Sequence, residues 1–376
     1  MFEHTLSAAD QTDSGVFAVS DQQTPKTEMI PVTPIDRASL SEMALETLLG
    51  TELHPQVNEA TWDWTRLPLC DGRYDLGERI ASGGMGTLYA ATDKMLSRRV
   101  AIKVLRRDKL SDPTAVARFL QEARIHSQFH HPGIPPLHDV GRLPDGRPFL
   151  AMKYIRSRTL TEKISESPST NDLDESLLLF EQACLIIEYA HAKRVLHRDL
   201  TPNNVLVSDK GRVQVIDWGL AKVLVAAPRT DSTGLDGTTQ MCVPNLKLTD
   251  EGLAMGTPAF MSPEFAGGSA DTATELSDVF GLGGILCFIL TGRPLYAGQI
   301  SSVMKRVKAG DVTEAFERLD ECAAPKELVN VAKTCLSNDL AMRPKSAHAL
   351  AEAVARTRTT DRQSNRSWWT RFFNPS

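Results

Sequence analysis

Nothing in this sequence supports a disulfide framework or a zinc site. Its six cysteines, Cys70, Cys184, Cys242, Cys287, Cys322 and Cys335, are scattered, and no two form a C-x-x-C pair. A reduced cytoplasm is the compartment this usage suits. Long hydrophobic runs are also missing. The most apolar stretch, Val279 to Leu290, falls short of the ~20 residues that cross a bilayer and reads as a buried core helix. The first residues, MFEHTLSAADQTDS, lack the basic start and apolar run of a secretion signal. There is no excess of positive charge either: 42 Lys and Arg against 47 Asp and Glu leave a formal net charge of -5, which argues against nucleic acid as a partner. No internal repeat of about 20–50 residues is visible.

What is present is enough apolar residue, 41% of 376, for one large domain or two modest ones. Residues 1–70, rich in Ser, Thr, Pro, Asp and Gln, read as a mostly disordered leader with one short amphipathic helix around Ser39 to Leu49. From Tyr74 the runs YDLGERIAS, GTLYAATD and RVAIKVLR alternate as antiparallel strands do. Helical spacing follows from Pro113 to Phe129, and a Pro144-Asp145-Gly146 turn then joins two more strands. Beyond Ile155 the pattern becomes helical. Leu177, Leu178, Phe180, Ile186, Ile187 and Ala190 recur at the spacing of a core-facing helix. The expectation is an α+β protein of two lobes, a small β-rich one with one main helix at 74–152 and a larger α-helical one at 156–355. A basic, aromatic tail follows at 356–376.

Chemistry concentrates in a few places. Ser82-Gly83-Gly84-Met85-Gly86-Thr87 lies between two strands, where absent side chains let backbone N–H groups approach a phosphate. A flexible hairpin turn would account for these glycines alone. Next comes Lys103, at the end of the apolar strand Val100-Ala101-Ile102, with its ammonium aimed beneath that turn and in need of a partner. Glu122, within FLQEARI on the helix that follows, is the partner this pattern offers. His197-Arg198-Asp199-Leu200-Thr201-Pro202-Asn203-Asn204 and then Asp217-Trp218-Gly219 supply a carboxylate to orient an attacking hydroxyl, and oxygen ligands for a cation bridging phosphates.

With these motifs in this order, the chain resembles the eukaryotic-type protein kinases from about Tyr74 to Ala355, particularly their bacterial serine/threonine branch. The resemblance implies the bilobal protein kinase fold, with ATP and Mg2+ (or Mn2+) as cofactors and transfer of the γ-phosphoryl group to protein Ser/Thr hydroxyls. It implies that Asp199 is the catalytic base, that Lys103 contacts the α and β phosphates and pairs with Glu122, and that Asn204 and Asp217 hold the metal. The nucleotide would lie among Ile80, Ala81, Ser82, Gly83, Gly84, Met85, Gly86, Leu88, Ala101, Lys103, Glu122, Met152 and Tyr154. Met152 stands where the family gates the space behind adenine, and the segment Phe149 to Ile155 links the lobes. Gly256 to Glu264 resembles the end of the activation segment, in a form that favours Ser/Thr acceptors. Arg343 fits the arginine that pairs with Glu264.

Four residues depart from the family pattern. Ala81 replaces the first glycine of the loop, and a slightly stiffer turn is expected. Trp218 replaces the usual Phe, and Ser262 replaces Ala before Pro263-Glu264. Thr201 stands where most relatives place a lysine, a loss of roughly 2–4 kcal/mol of transition-state stabilisation if nothing compensates. A nucleotide-binding pseudokinase scaffold is the alternative this raises. A small-molecule kinase is a further one, against which the Gly256 to Glu264 segment argues.

Between Asp217 and Glu264 the chain is longer than in compact members. The stretch is polar and offers Thr230, Ser232, Thr233, Thr238, Thr239 and Thr249 as phosphoacceptors that Arg198 could receive. The terminal WWTRFF, with its arginines, suits a membrane surface, a partner protein or packing on the large lobe. The location expected is cytoplasmic or peripheral to a membrane, and association of two copies through the small lobe is left open.

Overall fold

The computed structural model describes residues 64–166, 170–224, 257–267 and 272–358. Strands β1 (Tyr74–Ser82), β2 (Gly86–Asp93), β3 (Arg98–Leu105), β4 (Leu137–Arg142) and β5 (Pro148–Lys153) form an antiparallel sheet in the order β1-β2-β3-β5-β4. Successive side chains on a strand point to opposite faces, so the register divides them. Val100, Ile102 and Val104 join Phe149, Ala151 and Leu143 in one apolar cluster. Ala101 and Lys103 share the other face with Leu88 and Met152. Helix α1 (Pro113–Ser127) contributes Val116, Phe119, Leu120 and Ala123 to the cluster that Leu105 and Leu150 form on that second face. It starts where the Asp112 carboxylate accepts from Thr114 N at 2.9 Å and proline takes the first helical position.

Ordered packing begins earlier than the sequence suggests. Of the leader expected over residues 1–70, the part from Trp64 onward belongs to the small lobe. A helical turn at Trp64–Arg66 leads to Leu67, buried in the cluster under α1, and Leu69 forms a parallel bridge with Arg142 of β4. The polar composition of the segment as a whole conceals the short apolar run around Leu67. The helix expected at 39–49, the phosphoacceptor stretch 225–256 and the aromatic end of the tail lie outside the described residues.

The large lobe contains strand β6 (Ser157–Thr159) and helices α2 (Leu160–Glu166) and α3 (Thr170–Ala192). Strands β7 (Val195–Leu196), β8 (Val205–Ser208), β9 (Val213–Val215) and β10 (Lys222–Val223) follow. Then come α4 (Pro263–Gly267), α5 (Glu275–Thr291), α6 (Ile300–Ala309), α7 (Thr313–Glu321), α8 (Lys326–Cys335) and α9 (347–358). At its centre α5 is buried from Ser277 to Ile289, as an apolar run without a polar face requires. Helix α8 packs against α5 so closely that a Cβ on Gly283 would lie 2.4 Å from Cys335 Cβ. None of the described cysteines is in a disulfide, and no helix among the described residues is long and apolar enough to cross a membrane.

Candidate active site

The glycine turn joins β1 to β2 and is closed by Gly83 N donating to Gly86 O at 2.9 Å. Gly86 must be glycine because a Cβ there would meet Val104 O at 2.8 Å. Ala81, by contrast, pairs with Leu88 as an ordinary strand residue and needs no left-handed backbone, so its methyl costs the turn little. Ser82 Oγ and Thr87 Oγ1 lie 3.4 Å apart across the turn, while Ile80 is half exposed before it.

Beneath this turn, Lys103 Nζ lies 2.7 and 2.8 Å from the two Glu122 carboxylate oxygens and 3.2 Å from Asp217 Oδ1. Burial works against the lysine's charge, but the Asp217 and Glu122 carboxylates outweigh it and hold the ammonium above its usual range. Lys103 in turn lowers the Asp217 carboxyl below the ordinary value. The pairing anticipated for Lys103 and Glu122 is thus formed, and it extends to the residue before Trp218.

Strands β7 and β10 pair, which brings the loops at 197–204 and 217–221 alongside each other. Asp278 of α5 fixes the first of these: its Oδ2 accepts from His197 N and its Oδ1 from Arg198 N, both at 2.8 Å. His197 Nδ1 accepts from Asp199 N at 3.2 Å, so the proton on its ring sits on Nε2, 3.0 Å from Ile216 O. Asp199 Oδ1 accepts from Thr257 N at 2.9 Å, and Asn204 Nδ2 donates to Asp199 O at 2.8 Å. Burial raises the Asp199 carboxyl above the usual carboxylate range, and Asp217 adds to the effect. Arg198 and Asp217 both have left-handed backbone, at φ 66° and 62°, strain that the surrounding hydrogen bonds maintain.

Asn204 gives its amide nitrogen to Asp199, which leaves its oxygen available, and its backbone carbonyl accepts from Ile216 N at 2.9 Å beside Asp217. A carboxylate and an amide oxygen suit a hard divalent cation that takes its remaining ligands from phosphates and water. In keeping with so sparse a protein shell, the described residues contain no group of three or more His, Cys, Asp or Glu side chains able to hold a metal.

Three features of the site take their detail from the structure. Thr201 is buried, and its hydroxyl accepts from Asn204 N at 3.3 Å, capping the turn Pro202–Asn204 that carries a candidate metal ligand. Trp218 is wedged between Phe129 and His197, with ring centroids at 4.5 and 4.6 Å, and its Nε1 donates to Val215 O. Asp278, one residue before the apolar stretch read as a core helix, holds the loop 197–204. A carboxylate inside so apolar a helix was the available signal, since a buried charge demands partners. Of the residues expected to line a nucleotide, Leu88, Ala101 and Met152 lie on the Lys103 face of the sheet, and the Tyr154 ring lies under the Arg99 guanidinium at 4.3 Å.

A five-stranded lobe holding a lysine–glutamate pair, a helical lobe and this loop geometry are the arrangement of the protein kinase fold. The chain belongs to the protein kinase domain family, whose profile matches residues 74–354. Within it the chain falls in the bacterial serine/threonine branch. It is 33% identical over 300 residues to serine/threonine-protein kinase PknA of Mycobacterium tuberculosis, covering 76% of this chain and 62% of that protein. It is 31% identical over 311 residues to PknD of Protochlamydia amoebophila, covering 80% of this chain and 31% of that protein. With PrkC of Bacillus subtilis the identity is 34% over 240 residues, covering 63% and 34%. The chain therefore spans between about a third and two thirds of the length of these relatives.

Proposed function

We propose that the chain is an ATP-dependent protein serine/threonine kinase. The observation that carries this reading is the Lys103–Glu122 pair at 2.7 Å, joined to Asp217 and facing the loop that bears Asp199 and Asn204. In the proposed reaction the Asp199 carboxylate accepts the proton of a serine or threonine hydroxyl as that oxygen bonds to the γ-phosphorus. The bond to the ADP oxygen breaks in the same displacement. Lys103, held by Glu122, orients the α and β phosphates. Asn204 and Asp217 would hold Mg2+, or Mn2+ in its place, which supplies charge neutralisation at the phosphates.

Protein substrates and Ser/Thr acceptors follow from the kinship with PknA and PrkC. Autophosphorylation within 225–256 belongs to the same proposal. Arg198, the expected receiver of that phosphate, donates to Leu220 O and lies 5.3 Å over the Phe265 ring. No feature of the site favours the nucleotide-binding scaffold. Contact of the WWTRFF tail with a membrane surface or a partner, and pairing of two copies, stay proposals of lower rank, testable by vesicle co-sedimentation and by solution mass.

Purified protein incubated with radiolabelled ATP and magnesium, beside Lys103→Met and Asp217→Ala, tests the activity. Label on serine or threonine in the wild type, absent from both variants, is the expected outcome. Nucleotide binding without any transfer, even to a generic acceptor protein, would overturn the proposal.

A further inference from the structure

Residues 64–70 precede the part of the chain that the family profile covers, yet they form one wall of the space that holds α1. Leu67 is 7% exposed and shares its apolar cluster with Val116, Phe119, Leu120 and Ala123 of α1, and Trp64 packs on the same cluster. The backbone of this strap is anchored elsewhere, on the last residue of β4. Arg142 Nε donates to Leu67 O at 3.0 Å, Arg142 N donates to Pro68 O at 2.9 Å, and Cys70 N donates to Arg142 O at 2.8 Å. The strap thus braces the helix from the sheet: its main chain is fixed to β4 while its apolar side chains bear on α1.

The braced face is the functional one. Glu122 lies between Leu120 and Ala123, so turning or lifting α1 carries its carboxylate away from Lys103. Phe119, one turn earlier, has its ring 3.5 Å from the position a Gly86 Cβ would occupy, so the same face also supports the glycine turn. Helix α1 has no covalent tie that would hold it in this rotation; it is held by the Lys103–Glu122 pair, by the bond between His126 Nε2 and Pro135 O, by Ile125 in the large-lobe core and by the side-chain packing on this face to which Leu67 contributes.

We propose that Leu67, assisted by Trp64, is a positioning residue for phosphoryl transfer, acting through α1 to hold Glu122 against Lys103. The inference rests on the kinase reading above and adds to it a residue outside the catalytic domain proper.

The test uses the full chain carrying Leu67→Ala, the conservative Leu67→Met, and Leu143→Ala as a control. Leu143 is 8% exposed in the apolar cluster on the opposite face of the same sheet. Two readouts are taken at a temperature where circular dichroism shows every variant folded: hydrogen exchange of the amides at 113–127 without nucleotide, and kcat and KM for ATP with casein as acceptor. Leu67→Ala is expected to speed exchange in α1 and to lower kcat about ten- to a hundredfold, the scale of a small misplacement of a reacting group. Leu67→Met should restore both, and Leu143→Ala should change neither. If exchange in α1 stays at the wild-type rate in Leu67→Ala, or if Leu143→Ala lowers kcat equally, the strap is only a stability element and the inference fails. A wild-type protein that transfers no phosphate would sink the kinase reading, while the exchange comparison would still decide whether the strap holds α1.

Discussion

Gly219 sits among the three charged groups of the site. A Cβ built there lies 3.1 Å from Glu122 Oε2 and 3.2 Å from Asp217 Oδ1, so even a methyl group crowds the two carboxylates, and it would touch Lys103 Nζ at 3.5 Å. Gly219→Ala is expected to lower kcat about tenfold through displacement of that triad, with far-UV circular dichroism unchanged; steady-state assays at saturating ATP measure it. Asp199 and Asp217 have opposite shifts, and that gives a pH signature. Burial raises Asp199, so its proton-accepting form is lost as pH falls through a midpoint above the ordinary carboxylate value of about 3.9, while Asp217, lowered by Lys103, stays charged through that window. The acid limb of kcat/KM should therefore have its midpoint above that value. A limb at or below it would assign the titration to another group.

At the level of elements, the C-terminal part of the large lobe is tied to α4 and α5 through Arg343. Its guanidinium is fully buried, donates to both Glu264 oxygens at 2.7 and 3.1 Å and to Leu276 O at 2.8 Å, and so joins the segment after α8 to α4 and the start of α5. Ser277 Oγ donates to Glu264 Oε1 at 2.8 Å, which completes that carboxylate's shell. Arg343→Ala leaves Glu264 without its cation, an expected loss of about 3–5 kcal/mol in urea denaturation.

Elements such as this one were legible in the sequence because their signals are chemical and closely spaced: the glycine turn, a lysine in an apolar strand, the run from His197 to Asn204, and the uninterrupted apolar stretch of α5. The brace at Leu67 was not legible. A single leucine between a helical turn and a proline has no period, and its partner Arg142 is far along the chain. The local role of Thr201 was hidden for a related reason: beside the missing lysine charge, its hydroxyl caps the turn that presents Asn204, a contact no motif announces.

For the unit that contains both lobes, α1 is the shared member. Its middle residues, Val116 to Ala123, belong to the small-lobe core, while Ile125 and the following Phe129 belong to the core of the large lobe. A helix common to two cores couples their unfolding, so urea transitions followed by far-UV circular dichroism and by a probe on either lobe should coincide. Separate midpoints would show that α1 does not link them. The same junction contains Trp218, sealed between Phe129, just past the end of α1, and His197 of the loop 197–204. Of the five tryptophans in the chain, Trp62, Trp64, Trp368 and Trp369 lie near or beyond the ends of the catalytic domain, and Trp218 alone stands inside it. With Trp62, Trp368 and Trp369 changed to phenylalanine and Trp64 kept for its packing on the α1 cluster, the buried Trp218 would be a built-in fluorophore next to Asp217. Each departure of Asp217 from Lys103 would then register as a change in emission colour, with no label attached.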